Sequence, residues 1–158
     1  INDYVALDCE MVGVGKKKKE NMLGRVSIVN WNGECMYDKY VKPRKIVTDY
    51  RTSVSGLIAT DLQNGEDFTV VQKEVHSILE GKIIVGHALT NDFKELSLSY
   101  PRRKIRDTAK FFKFRATCGP RPSVRKLVRT FLHRKIQVGE HCSIEDAKAT
   151  MQLFQIVL

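Results

Sequence analysis

A mixed α/β domain with a five-stranded sheet is predicted for this chain of 158 residues. Three observations predict it. An apolar, strand-like run opens the chain, two more such runs meet at Asn32-Gly33, and short strand and helix patterns then alternate. The order implies an antiparallel meander leading into parallel strands, with helices packed on the sheet. The length suits one domain with a real core, and neither a repeat nor a linker divides it.

Each element has its own signal. Tyr4 to Met11 (YVALDCEM) is apolar on both faces up to Asp8, as a central strand is. Gly13 to Asn21 reads as a loop with four consecutive lysines, Lys16 to Lys19. Arg25 to Trp31 and Cys35 to Val41 form a hairpin about Asn32-Gly33. Pro43 to Ser55 reads as irregular. Phe68 to Glu80 places Phe68, Val71, Val75, Ile78 and Leu79 on one helical side and stops at Gly81. Ile83-Ile84-Val85 is a short buried strand closed by Gly86, and Asn91 to Leu98 reads as a helix. Ile105 to Thr108 supplies a last strand, and Lys110 to Pro122 a basic loop. Ser123 is expected to cap a helix to about Leu132, and Ser143 to cap a final helix that runs to the end. Beginning at Ile1 without a leader and ending in an apolar helical stretch, the chain reads as a domain, 1–158, excised from a longer protein.

Composition narrows the function. With 42% hydrophobic and 28% charged residues, wholesale disorder and fibrous repeats are excluded. No apolar run approaches the ~18 residues of a membrane span. Cys9, Cys35, Cys118 and Cys142 follow no metal-site spacing, which argues for reduced thiols. The net charge is +9, unevenly placed. Arg102 to Lys135 holds thirteen basic residues against Asp107 alone, a net +12, whereas the fourteen basic and seventeen acidic residues elsewhere make −3. Such a segment suggests a polyanion, nucleic acid before membrane; a solvated basic face is the plainer alternative.

Several acids could carry chemistry. Asp8 and Glu10 lie two apart on a strand and so share a face. Two carboxylates that close call for a cation, and a hard divalent metal with oxygen ligands is the natural one. On these residues alone, a strand end running into solvent is as good a reading. Asp92, in GHALTNDF, follows a strand at its carboxyl end, where α/β sheets place ligands; by itself it reads more readily as a first-turn helix acid. Asp146, in HCSIEDA, sits at the edge of the core side of the last helix, and with Ser143 it also makes a capping-box pattern. His141 lies five residues earlier, placed to serve as a general base or simply as a loop histidine. Asp107 either pairs with neighbouring arginines or stands behind the site. The run VGVGKKKK is no Walker loop, because the position that needs the first glycine is Glu10.

Together, DCEMVGVG, TDYRTSVSG, GHALTNDF, RDT and HCSIEDAKATM resemble the DEDDh 3′–5′ exonucleases, in the branch of RNA exonuclease 4 and its relatives, which include the interferon-stimulated 20 kDa exonuclease. The resemblance covers essentially the whole chain. It departs in the loop after the first strand, where Lys16 or Lys17 stands in place of a frequent proline. The resemblance implies a ribonuclease H-like mixed five-stranded sheet flanked by helices. It implies that Asp8, Glu10, Asp92 and Asp146 hold two ions, Mg²⁺ or Mn²⁺, with His141 as general base. Hydrolysis from a 3′ end would then release nucleoside 5′-monophosphates. Met11 is expected either to pack on the terminal nucleotide or to fill the core, and Arg51 either to contact a phosphate or a ribose 2′-hydroxyl or to form a structural ion pair. Tyr50 and Phe93 are expected in the core. Expected partners are the 3′ ends of single-stranded RNA or DNA and no membrane, for a monomer in the nucleus, in particular the nucleolus. Single-stranded DNA as the main substrate, or a binding module for ribosomal RNA processing with weak catalysis, are the alternatives.

Overall fold

The computed structural model describes residues 1–139 and 141–158. Its centre is β1 (Tyr4–Val14), hydrogen-bonded on one side to β2 (Glu20–Asn30), antiparallel, and on the other to β5 (Ile83–Gly86), parallel. β3 (Cys35–Tyr40) continues the sheet beyond β2, and β6 (Ile105–Asp107) continues it beyond β5. The hairpin at Asn32-Gly33 forms as expected. Gly33 takes a φ of +80°, and the Asn30 side chain accepts from the backbone of Asn32 and Glu34.

The mixed α/β class holds, but the sheet has six strands rather than five. The sixth, β4 (Val47–Asp49), lies in the stretch expected to be irregular and pairs antiparallel with Gly13 and Val14. Three residues, two of them exposed, are too short a run to show a strand period. What creates the pairing is the length of β1, which runs three residues past Met11 and offers a free edge beyond the end of β5. The expected loop between Gly13 and Asn21 shrinks accordingly, since both strands continue into it. There Val12, Val14 and Met22 are buried with Leu57 and Leu62, the latter from α2 (Ala59–Gln63).

Helices cover both faces, and the side-chain alternation of β1 divides them. Val5, Leu7 and Cys9 pack against Val71, Val75 and Leu79 of α3 (Phe68–Leu79) and Leu89, Phe93 and Leu96 of α4 (Leu89–Leu96). Ala6 faces the other way, toward Ala147, Met151 and Phe154 of α7 (Ser143–Gln155). The stretch expected as a basic loop contains α5 (Phe112–Cys118), whose Phe114 and Cys118, one turn apart, are its buried pair. Their narrow apolar stripe is masked by Lys113 and Arg115 on either side of Phe114. Ser123 does cap its helix, accepting from the Lys126 amide at 3.1 Å; α6 (Val124–Leu127) then loosens into a π-turn at Val128–Leu132. Phe114 is fully buried against Phe111 and Phe131. Phe114→Ala is expected to cost about 3–5 kcal/mol, seen in a thermal melt as a loss of roughly 2–4 °C for each.

Candidate active site

The parallel strands β1, β5 and β6 end on one edge of the sheet, and the acids gather there. β5 pairs with β1 only as far as Ala6, so Asp8 and Glu10 stand past the end of their neighbour. The gap is taken by α4, which begins three residues after β5 and carries Asp92 in its first turn. Gly86 permits this tight reversal, since a Cβ there would fall 2.3 Å from the Leu89 side chain. From the opposite face α7 brings Asp146, also in its first turn. Asp8, Glu10 and Asp146 each offer an oxygen, all within 4.8 Å of one another.

Little compensates these charges. Among the described residues, Glu10 Oε1 and Asp92 Oδ2 are buried side-chain oxygens with no hydrogen-bond partner. Such orphans carry a large desolvation cost unless a cation completes them. Burial raises the Asp8 carboxyl well above its ordinary value, and Asp92, Asp146 and Glu10 add to it. Burial, then the charges of Asp107 and Glu10, raises Asp92 well above its own. Glu10 is pushed up to about 8 by burial and by Asp146, with Arg25 opposing. Asp146 is raised by burial, against the pull of a hydrogen bond from Gln137 and the charge of His141. The donor set is oxygen only and acidic, which suits a hard divalent cation such as Mg²⁺ or Mn²⁺.

The capping reading of Ser143 and Asp146 fails. Cys142 is the N-cap, Ser143 is already helical, and neither side chain caps the helix. Ser143 instead reaches Ser27 Oγ at 2.6 Å in the interior. Ser27 donates to Asp38, which also accepts two bonds from Arg25, so Ser143 must be the donor to Ser27. Arg25 extends a further contact to Cys142 Sγ at 3.9 Å. This chain of groups fastens the start of α7 to β2 and β3. Ser27 and Arg25 lie directly across from Asp8 and Glu10, a relation no inspection of one strand reveals. His141, half-buried, is held by its amide, which donates to the Val54 carbonyl at 2.7 Å in α1 (Thr52–Ser55).

The remaining expected residues are placed as follows. Met11 is half-buried and packs on the α3–α4 side. The Arg51 guanidinium donates to Asn21 Oδ1 at 2.7 Å and to the Lys18 carbonyl at 3.1 Å, bracing the turn between β1 and β2. Phe93 is buried and Tyr50 packs at the core margin, as expected. Among the described residues Asp107 pairs with no arginine. Its carboxylate accepts from the amides of Ala88, Leu89 and Ala109 at 2.8, 3.1 and 3.0 Å, and so caps the start of α4. Asp107→Ala strands those amides and frees the helix that carries Asp92. We expect a loss of about 1–2 kcal/mol by thermal melting together with a drop in the rate of any reaction at the acidic cluster. An unchanged rate at temperatures where the variant is folded would show that Asp92 needs no such anchor.

Against this geometry stands a match to the family model described as "Exonuclease" over residues 5–154. The chain belongs to the exonuclease family. The match agrees with the DEDDh group that the motifs imply. The domain is 56% identical over 155 residues to RNA exonuclease 4 of Homo sapiens, covering 97% of this chain and 36% of that protein. It is 47% identical over 154 residues to RNA exonuclease 4 of Candida albicans, covering 97% of this chain and 54% of that protein. The exonuclease domain thus spans about a third to a half of those relatives' length. Among solved structures it resembles the pseudoubiquitin hydrolase–RNA exonuclease module of Saccharomyces cerevisiae Pan2 in complex with AAGGAA RNA. There the TM-score is 0.86 at 31% identity, over 98% of this chain and 28% of that one. That likeness agrees with a ribonuclease H-like fold. No described helix is long and apolar enough to cross a membrane.

Proposed function

We propose that this domain is a metal-dependent 3′–5′ exonuclease that shortens single-stranded RNA and releases nucleoside 5′-monophosphates. The observation that carries the reading is the trio Asp8, Glu10 and Asp146 with oxygens within 4.8 Å, two buried carboxylate oxygens nearby having no partner. Asp8, Glu10, Asp92 and Asp146 would hold two divalent ions, Mg²⁺ or Mn²⁺. When bound, such ions neutralise a phosphodiester and lower the pKa of an attacking water. The chain's own residues do the rest. His141, on a loop tied to Val54, takes the proton of the attacking water at an imidazole nitrogen. The pairing of Ser143 with Ser27 keeps Asp146 and the His141 loop in place while the strand passes.

The strand follows the basic segment. His87 Nε2 donates to the Pro122 carbonyl at 2.8 Å and ties the loop to the end of β5. Lys110 and Arg121 then line a groove of about 330 Å³ together with Thr90 and Asn91, next to Asp92 in sequence. Phe112, 85% exposed and flanked by Lys110 and Lys113, offers a ring on which a base can stack. Met11 packs on the terminal nucleotide, and Arg51 contacts it from the braced turn. RNA as substrate is supported by the names of the relatives, and a monomer in the nucleus, in particular the nucleolus, belongs to the same proposal.

The test is incubation of 5′-labelled single-stranded RNA and matched DNA with Mg²⁺, Mn²⁺ or EDTA. A ladder receding from the 3′ end, faster on RNA and absent in EDTA, is expected. Faster recession on DNA would overturn the substrate. Binding without shortening under either metal would leave a nucleic-acid-binding module and sink the enzyme.

A further inference from the structure

Gln137 was not anticipated from the sequence, and it makes the most specific contact with the acidic cluster. Its side-chain amide donates to Asp146 Oδ1 at 2.8 Å. Its backbone is left-handed, with φ of +56°, in a loop where His133 and Gly139 also have positive φ, +55° and +85°. A non-glycine residue in that region costs of order 1 kcal/mol and persists only where its surroundings hold it there. Ile136 just before it is buried, whereas Val138 just after it is 75% exposed. The loop is therefore pinned at one side and open at the other, and the strained residue between is the one that reaches the carboxylate.

We infer that Gln137 is a positioning residue for the metal centre: it holds one oxygen of Asp146 and so turns the other toward the cation. The inference rests on the metal-site reading above. An amide suits this duty because it donates without charge. A lysine or arginine here would satisfy Asp146 as an ion pair and compete with the metal. A glutamate would add repulsion to a cluster already crowded with carboxylates. A carboxylate ligand left to rotate has no preferred oxygen, and partners outside the ligand set typically change metal affinity or rate by about 10–100-fold.

The test uses Gln137→Met, which keeps length and volume and removes the hydrogen bond. Gln137→Asn, whose residue type tolerates the left-handed region, keeps an amide that is one carbon too short. Mn²⁺ binding is measured by calorimetry on the domain without nucleic acid, beside kcat and KM on single-stranded RNA. Both variants are expected to bind Mn²⁺ about 10–100-fold more weakly, with KM for RNA unchanged and kcat partly restored at high Mn²⁺. Unchanged Mn²⁺ affinity with a lowered melting temperature would overturn the inference and leave Gln137 as a loop brace. If the Met variant does not fold, the Asn variant decides. If the wild-type domain itself binds no Mn²⁺, the metal-site reading fails first, and the two failures are thereby told apart.

Discussion

Asp8→Asn is expected to abolish nuclease activity, by a factor of about 10³ or more, and at the same time to make the metal-free protein more stable. The two effects share one cause. Asp8 sits on the central strand with Glu10 beside it, Asp146 arriving from α7 and Asp92 near enough to raise its pKa. With cations bound, that crowding is the source of affinity, and a loss of 10³ corresponds to only about 4 kcal/mol of transition-state stabilisation. Without them it is a strain on the fold. An asparagine at this position removes one charge and can donate to the remaining carboxylates. In EDTA at neutral pH a melting temperature above that of the wild type is expected, because the buried carboxyl that burial and its neighbours disfavour is gone. Saturating Mg²⁺ raises the melting temperature of the wild type and not of the variant, since only the wild type gains from binding. Activity within tenfold of wild type, or a lower melting temperature in EDTA, would show that these carboxylates are not a cation site.

The same reasoning gives a pH dependence. Glu10 carries a pKa of about 8 in the folded metal-free chain against 4.5 in an unfolded one, and Asp8, Asp92 and Asp146 are raised in the same direction. A carboxyl raised in the folded state binds its proton more tightly there. Its contribution is therefore present at acid pH and lost as pH climbs from about 4.5 to 8. Melting temperatures in EDTA are expected to fall across that window, and saturating Mg²⁺ to flatten the slope.

His141→Ala is expected to lower turnover about 10²–10⁴-fold while leaving the melting temperature nearly unchanged. The loop is held by the His141 backbone amide on Val54, a bond alanine keeps. A general base works only when it is free to accept a proton, so the wild-type rate at saturating metal is expected to rise with pH. The variant should lose that rise along with its rate. A variant that retains the same pH dependence would assign the limb, and the proton, to another group.

How much of this was legible in the chain depends on the distance over which each relation acts. Asp8 and Glu10 share a face because alternate residues of any strand do. The hairpin at Asn32-Gly33, the α3 stripe and the cap at Ser123 are equally local. The five acidic and imidazole residues could be picked out because their order and neighbours match a family. The rest needed the tertiary structure. β4 exists because β1 outruns β5 and leaves an edge to pair with. Asp107 caps α4 rather than meeting an arginine because β6 ends beside that helix. Ser143 looks inward to Ser27 because α7 lands on β2. Gln137 gains its meaning only from a loop conformation that brings an amide nine residues back onto Asp146. The sequence by itself determined which groups could react. The tertiary structure decided which of them meet, because contacts between distant segments depend on register and packing rather than on local pattern.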